Sequence, residues 1–227
     1  MIRNISLFLI SVLIAACQSV SDNGKSDIEM QLERIGLQNV AEEIPGVEVY
    51  MVYATRYNFM GTVLYHGLDE AYLVPEAMEK LRKADELLRK KRLDLHLVVY
   101  DAARPRSIQQ LMWDVVENTE LQDFVANPDK SGGGTHNYGI AVDITLADCT
   151  GHPLPMGSEY DYFGDRSRVD IEDKLFESGE ISRRELQNRR LLREIMTEAG
   201  WLVEPSEWWH FNAMPLEQAS ENLTVIK

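Results

Sequence analysis

The chain has 227 residues, 44% of them hydrophobic and 26% charged, with a formal net charge of −14. That length and apolar content suit one sizeable globular domain, and the composition is not that of a disordered chain. The negative charge argues against binding to a phosphate backbone, which needs a basic surface, so no nucleic-acid partner is expected.

The first segment, MIRNISLFLISVLIAACQSVSDNGKSD, begins with one positive side chain, Arg3, and then runs apolar from Ile5 to Ala16 apart from Ser6 and Ser11. The run is too short to span a bilayer as a helix and has the layout of a secretory signal. Ile14-Ala15-Ala16-Cys17 resembles a bacterial lipobox, which implies cleavage after residue 16 and a lipid on Cys17. The expected organisation is a signal peptide over 1–16, a polar tether over 17–26 and one domain over 27–227. The expected place is the bacterial cell envelope, on the periplasmic side if the cell is Gram-negative, with a membrane partner through Cys17. The other cysteine, Cys149, is then left without an intrachain partner.

Ser26-Asp27 predicts a capped helix running to about Leu37, and residues 48–54 read as a strand. Pro75 opens a helix whose Met78, Leu81, Leu87 and Leu88 form an apolar stripe. LHLVVYD at 95–101 reads as a buried strand, and a helix follows Arg104-Pro105 to about Glu117. NPDKSGGGTH is a Gly-rich loop, not a phosphate loop, because no GK[ST] follows. GIAVDIT is a strand, and 151–170 reads as loop. Ser182, Glu185 and Gly200 mark a capping-box helix with a glycine stop. WLVEPSEWWHFN supplies one or two short strands. Without regular βαβ alternation the expectation is α+β, helices packed on a largely antiparallel sheet.

Side chains of a strand alternate between faces. Ile140, Val142, Ile144 and Leu146 make a core face, whereas Gly139, Ala141, Asp143 and Thr145 make a small, polar face suited to the floor of a cleft. An Asp inside a strand needs a compensating partner. His136 lies just upstream, and Glu207-Trp208-Trp209-His210 offers a second histidine. In a regular strand Glu207 and His210 point to opposite faces, so one site for both needs a strand start or bulge near Glu207; Pro205-Ser206 provides the break. Two histidines and an aspartate suit zinc, and three ligands with an open fourth position is the catalytic arrangement. A nearby carboxylate that is not a ligand, such as Glu207, can act as general base. Trp208 and Trp209 read as core or cleft-wall aromatics, and His66, His96 and His152 as structural or surface residues.

H-x6-D followed by E-x2-H resembles the M15-type zinc peptidases, a group that includes D-alanyl-D-alanine dipeptidases and carboxypeptidases. The likeness to the dipeptidase branch extends over six ordered blocks: YATRYNFMG, DAARP, HNYGIAVDITL, PMGSEYDYF, QNRRLLREIM and EWWHF. It implies one Zn2+ ion held by His136, Asp143 and His210. It implies Glu207 as catalytic base and Arg104 as the residue that polarises the scissile carbonyl, a role the guanidinium fork suits. Asp161 and Tyr53 are implied at the substrate's amino end, and the implied partner is a small dipeptide. The chain departs from the pattern at Gly134, where the dipeptidases usually carry Ser two residues before the first histidine. Two other functions use the same scaffold: a D,D-carboxypeptidase or other peptidoglycan stem peptidase, and a non-catalytic zinc-stabilised binding domain. Glu207 and Arg104 argue against the second, since a structural site needs neither.

Overall fold

The computed structural model describes residues 24–130 and 133–227. The expected signal peptide, Cys17 and most of the tether lie outside the described residues. Among the described residues no helix is long and apolar enough to cross a membrane.

The architecture is α+β, built on a sheet of five strands. These are β2 (Glu48–Val49), β4 (Leu95–Asp101), β5 (Ala141–Asp148), β7 (His210–Asn212) and β6 (Leu202–Val203), in that spatial order. β2 pairs parallel to β4, and the other neighbours pair antiparallel. A separate antiparallel pair joins β1 (Gln38–Asn39) to β3 (Tyr72–Leu73). The helices are α1 (Asp27–Arg34), α2 (Val40–Glu43), α3 (Pro75–Lys91), α4 (Arg106–Val116), α5 (Glu172–Glu177), α6 (Arg183–Ala199) and α7 (Leu216–Asn222).

Local chemistry sets most of these boundaries. Ser26 and Ser182 each accept a hydrogen bond from the backbone N–H three residues on, and Glu29 and Glu185 return the bond, so both expected capping boxes form. Such a cap is worth about 1 kcal/mol. Pro75 occupies the first turn of α3, where its missing N–H costs nothing. Gly200 ends α6 at φ +99°, in the left-handed region that favours glycine. Met78, Leu81 and Leu88 of α3 and Leu192, Ile195 and Met196 of α6 are buried in one core with Leu97, Val99, Val142 and Ile144 of the sheet.

Four expectations are corrected. The first helix stops at Arg34, with a turn before Leu37. Residues 48–54 are not one strand: pairing ends at Val49, and Val52–Ala54 coil into a 3-10 turn that brings Tyr53 inward, 2% exposed. Gly139 is not on the strand but ends the preceding turn at φ +67°, and a Cβ there would stand 2.9 Å from Leu37 Cδ2. The small face of β5 is not an open floor either. Ala141 and Thr145 are buried, and Asp143 is the residue of that face that lines the cleft. The helices α5 and α7 lie in stretches to which the sequence reading assigned no element.

Candidate active site

Two pairing events assemble the site. In the β5–β7 ladder Asp143 stands directly opposite His210. In the β4–β5 ladder an irregularity between Val99 and Asp101 shifts the register, so that Asp101 also comes opposite Asp143. A bulge of this kind re-aims side chains. β7 begins at His210, so Glu207 lies in the turn before it and escapes strand alternation. This is the strand start near Glu207 that one shared site requires.

His136 arrives from a 3-10 turn, Thr135–Tyr138, just ahead of β5. Asn137 fixes that turn: its side-chain oxygen accepts from Gly134 N at 2.8 Å, and its side-chain nitrogen donates to Arg104 O at 2.8 Å. Arg104 N in turn donates to His136 O at 3.0 Å. The turn and the 102–104 segment are thus stitched together.

Three donor atoms converge. His136 Nε2 lies 3.3 Å from Asp143 Oδ1, His210 Nδ1 lies 2.9 Å from the same oxygen, and the two ring nitrogens are 3.2 Å apart. The far side of each ring is already committed. His136 Nδ1 donates to Ala102 O at 2.6 Å, and His210 Nε2 donates to Asn212 Oδ1 at 2.9 Å. With both rings neutral, those bonds turn two lone pairs and a carboxylate oxygen toward one point, a repulsion that a proton on His210 or a metal cation among the three relieves. All three residues are at most 9% exposed. The donor set, two nitrogens and one carboxylate oxygen, fits a metal ion, and these three residues form a possible metal-binding group. Asp143 Oδ2 is held apart by Tyr160, whose hydroxyl donates to it at 2.9 Å. The same convergence raises His210 to about 9: burial works against the charged ring, and the hydrogen bond and charge of Asp143 outweigh it.

Glu207 is largely buried, with Oε2 4.0 Å from His210 Nδ1. Burial pushes its carboxyl up to about 8, opposed by His210 and reinforced by the Asp143 and Asp161 carboxylates. A dication among the three donors would act in the opposite direction and favour the ionised form.

Arg104 is 8% exposed. Its Nε and one terminal nitrogen donate to Asp101 Oδ2, and the other terminal nitrogen donates to Gln109 Oε1 at 2.9 Å. Asp101 is fully buried and also accepts from the Tyr65 hydroxyl at 2.7 Å. The guanidinium stands 5.1 Å from the Tyr53 ring centroid and 3.9 Å from Asp143 Oδ2. Held by Asp101 and Gln109, Arg104 lines the cleft with N–H groups still unused.

Asp161 sits at φ +59°, a strained value for a non-glycine residue. Its Oδ1 accepts from the Tyr53 hydroxyl at 3.0 Å, and its Oδ2 is buried with no hydrogen-bond partner among the described residues. Burial, and then the charge of Asp143, push this carboxyl up to about 7. A buried carboxylate oxygen without a donor costs free energy unless a ligand supplies one.

These residues line one cleft of about 510 Å³. Tyr53, Phe59, Phe163 and Phe124 line it in successive ring contacts of 6.3, 5.0 and 5.2 Å. Trp209 lines the cleft, while Trp208 is buried and donates to Ser158 Oγ at 2.9 Å. His66 and His152 are exposed, and His96 pairs with Glu48 at 2.9 Å. The structure therefore brings together His136, Asp143, His210, Glu207, Arg104, Asp161 and Tyr53. Sequence reasoning missed the residues that orient them: Asp101, Gln109, Tyr160 and Asn212. The spacing of Asp101 and Arg104, three residues apart in DAARP, was the available signal for one of these.

Residues 33–225 match the Peptidase_M15 family, described as D-ala-D-ala dipeptidase. The chain belongs to that family. This peptidase is 31% identical over 175 residues to the D-alanyl-D-alanine dipeptidase of Escherichia coli (strain K12), covering 77% of this chain and 83% of that protein. It is 30% identical over 195 residues to the D-alanyl-D-alanine dipeptidase of Enterococcus faecium, covering 78% of this chain and 91% of that protein. A third relative, the D-alanyl-D-alanine dipeptidase of Synechocystis, is 30% identical over 176 residues, or 65% and 71% of the two chains.

Proposed function

We propose that this peptidase hydrolyses D-alanyl-D-alanine to free D-alanine in cell-wall metabolism, using one zinc ion held by His136, Asp143 and His210, with Glu207 as general base. The observation that carries the reading is the convergence of those three donor atoms beside Glu207 and Arg104 in one cleft. When bound by these residues, such an ion would supply Lewis-acid polarisation of the scissile carbonyl and would lower the pKa of a water there.

The chain's own residues supply the rest. Glu207 takes the proton of the attacking water and passes it to the leaving amine. Arg104, pinned by Asp101 and Gln109, presents N–H donors to the oxyanion as charge develops there, without reorganising. Asp161 receives the substrate ammonium on its unpartnered Oδ2, and Tyr53 orients that carboxylate. Recognition of a free ammonium group by Asp161 favours a free dipeptide over a longer stem peptide.

A lipid anchor at Cys17 in the bacterial envelope belongs to the same proposal and rests on the lipobox-like IAAC segment. The test is a panel of D,D-, L,D- and L,L-dipeptides and a stem pentapeptide, run with and without chelator. Chelator-sensitive cleavage of D-alanyl-D-alanine supports the reading. Preferred cleavage of the pentapeptide would reassign the chain as a carboxypeptidase, and no turnover with zinc bound would make it a binding domain.

A further inference from the structure

The segment QNRRLLREIM has no part in the chemistry above, yet one of its side chains stands out. Along α6 the buried positions run Leu186, Arg189, Leu192, Ile195, Met196 and Ala199. The helical stripe calls for an apolar residue at 189, and an arginine occupies it, 2% exposed. Among the described residues no carboxylate hydrogen-bonds to it. Its guanidinium donates to three backbone carbonyls instead: Met156 O, Arg166 O and, at 3.3 Å, Arg168 O. A buried cation is costly, so these bonds have to offset its desolvation. Burial indeed lowers its pKa to about 10, with Glu172 opposing.

The three carbonyls lie at the two feet of one loop. Met156 is the first foot, and Arg166 and Arg168 form the second. Between them lie Ser158, which accepts from Trp208, Tyr160, which holds Asp143, and Asp161 with its left-handed backbone. Neighbouring bonds reinforce both feet. Asn188 donates to Pro155 O at 2.8 Å, and Ser167 Oγ donates to Ser206 O at 2.8 Å. Arg189 bonds both feet from outside the loop, and within the loop Arg166 of the second foot donates to Gly157 O, next to the first, at 3.4 Å. The planar fork of Arg189 suits this, whereas a lysine ammonium cannot span three divergent carbonyls from the same stem.

We propose that Arg189 is the positioning residue for Asp161: it cross-ties the feet of the 156–168 loop and so fixes where the Asp161 carboxylate meets the substrate ammonium. This rests on the assignment of Asp161 to that ammonium. A strained carboxylate at the crown of a loop holds its place only if the surrounding structure determines it.

The test compares D-alanyl-D-alanine with propionyl-D-alanine, which lacks only the amino group, in the zinc-loaded wild type and in Arg189→Lys and Arg189→Met. The wild type should prefer the free amine by about a hundredfold in kcat/KM. Arg189→Lys should lose about tenfold of that preference and raise KM about tenfold, while kcat stays within about threefold and zinc content is unchanged. Arg189→Met should lose nearly all of it, so that adding Asp161→Asn costs little further there, while in Arg189→Lys it should remove only the remaining preference of about tenfold. Full preference in a folded Arg189→Lys enzyme overturns the proposal. Failure of both variants to fold also overturns it, since Arg189 then belongs to the core. An absence of preference in the wild type removes the Asp161 assignment itself, and is seen before any variant is made.

Discussion

Asp143 and His210 are 67 positions apart in the chain and directly opposite in the β5–β7 ladder, with Oδ1 and Nδ1 2.9 Å apart. Strand register therefore brings two of the three candidate ligands together, and a one-residue slip of β7 against β5 would leave them on opposite faces. His136 is added by a turn rather than by a strand, and its ring is set by the bond to Ala102 O. The site is thus as rigid as the sheet that carries it.

Removing one ligand should remove the metal. His210→Ala deletes a nitrogen from a three-donor set and leaves His136 and Asp143 too few to hold zinc tightly. Elemental analysis after dialysis should show zinc falling from about one equivalent to about a tenth or less in this variant. Retention of a full equivalent would take His210 off the ligand list.

Glu207 should behave differently. Glu207→Gln preserves volume and removes the base, so zinc content should stay near stoichiometric. The kcat should fall about a thousandfold, the size expected of a lost general base. Because Glu207 precedes β7 rather than lying in it, circular dichroism should match the wild type. Strong residual turnover would sink the assignment.

Much of this site was legible in the chain because it depends on short-range spacing. The H-x6-D and E-x2-H spacings, the DAARP block and the capping boxes all express local chemistry, and local chemistry survives folding. What was not legible depends on register and on tertiary contact. Nothing local in 48–54 reveals that pairing stops at Val49 and that a 3-10 turn buries Tyr53. The alternation of GIAVDIT gives the two faces of β5 but not that Ala141 and Thr145 would be covered. Asn212 and Tyr160 orient His210 and Asp143 from positions that are neighbours only in space.

Asp161→Asn tests the amino end of the substrate. The amide keeps the shape and the bond from Tyr53 but loses the charge that would pair with an ammonium group. KM for D-alanyl-D-alanine should rise by about ten- to a hundredfold, in line with a charge-assisted hydrogen bond, with a smaller change in kcat. Zinc content should not move. Loss of zinc in this variant would mean that the residue acts on the metal group instead.

Gly134 is the departure from the family pattern, and packing gives it a physical reason. A Cβ at this position would stand 2.9 Å from the Cβ of Ala126, too close for both to stay where they are. Ala126 is not free to retreat, because its carbonyl accepts from Gln109 at 2.8 Å and Gln109 holds Arg104. Installing the usual serine, Gly134→Ser, should therefore destabilise the protein by about 1–3 kcal/mol, the usual cost of overpacking. It should also lower kcat through the displaced Ala126–Gln109–Arg104 chain. Gly134→Ser combined with Ala126→Gly removes the clash and should recover most of the stability. Denaturant titration of both variants checks the first effect, and kcat for D-alanyl-D-alanine checks the second. A fully stable, fully active Gly134→Ser enzyme would show that the 122–128 segment yields freely and does not constrain Arg104.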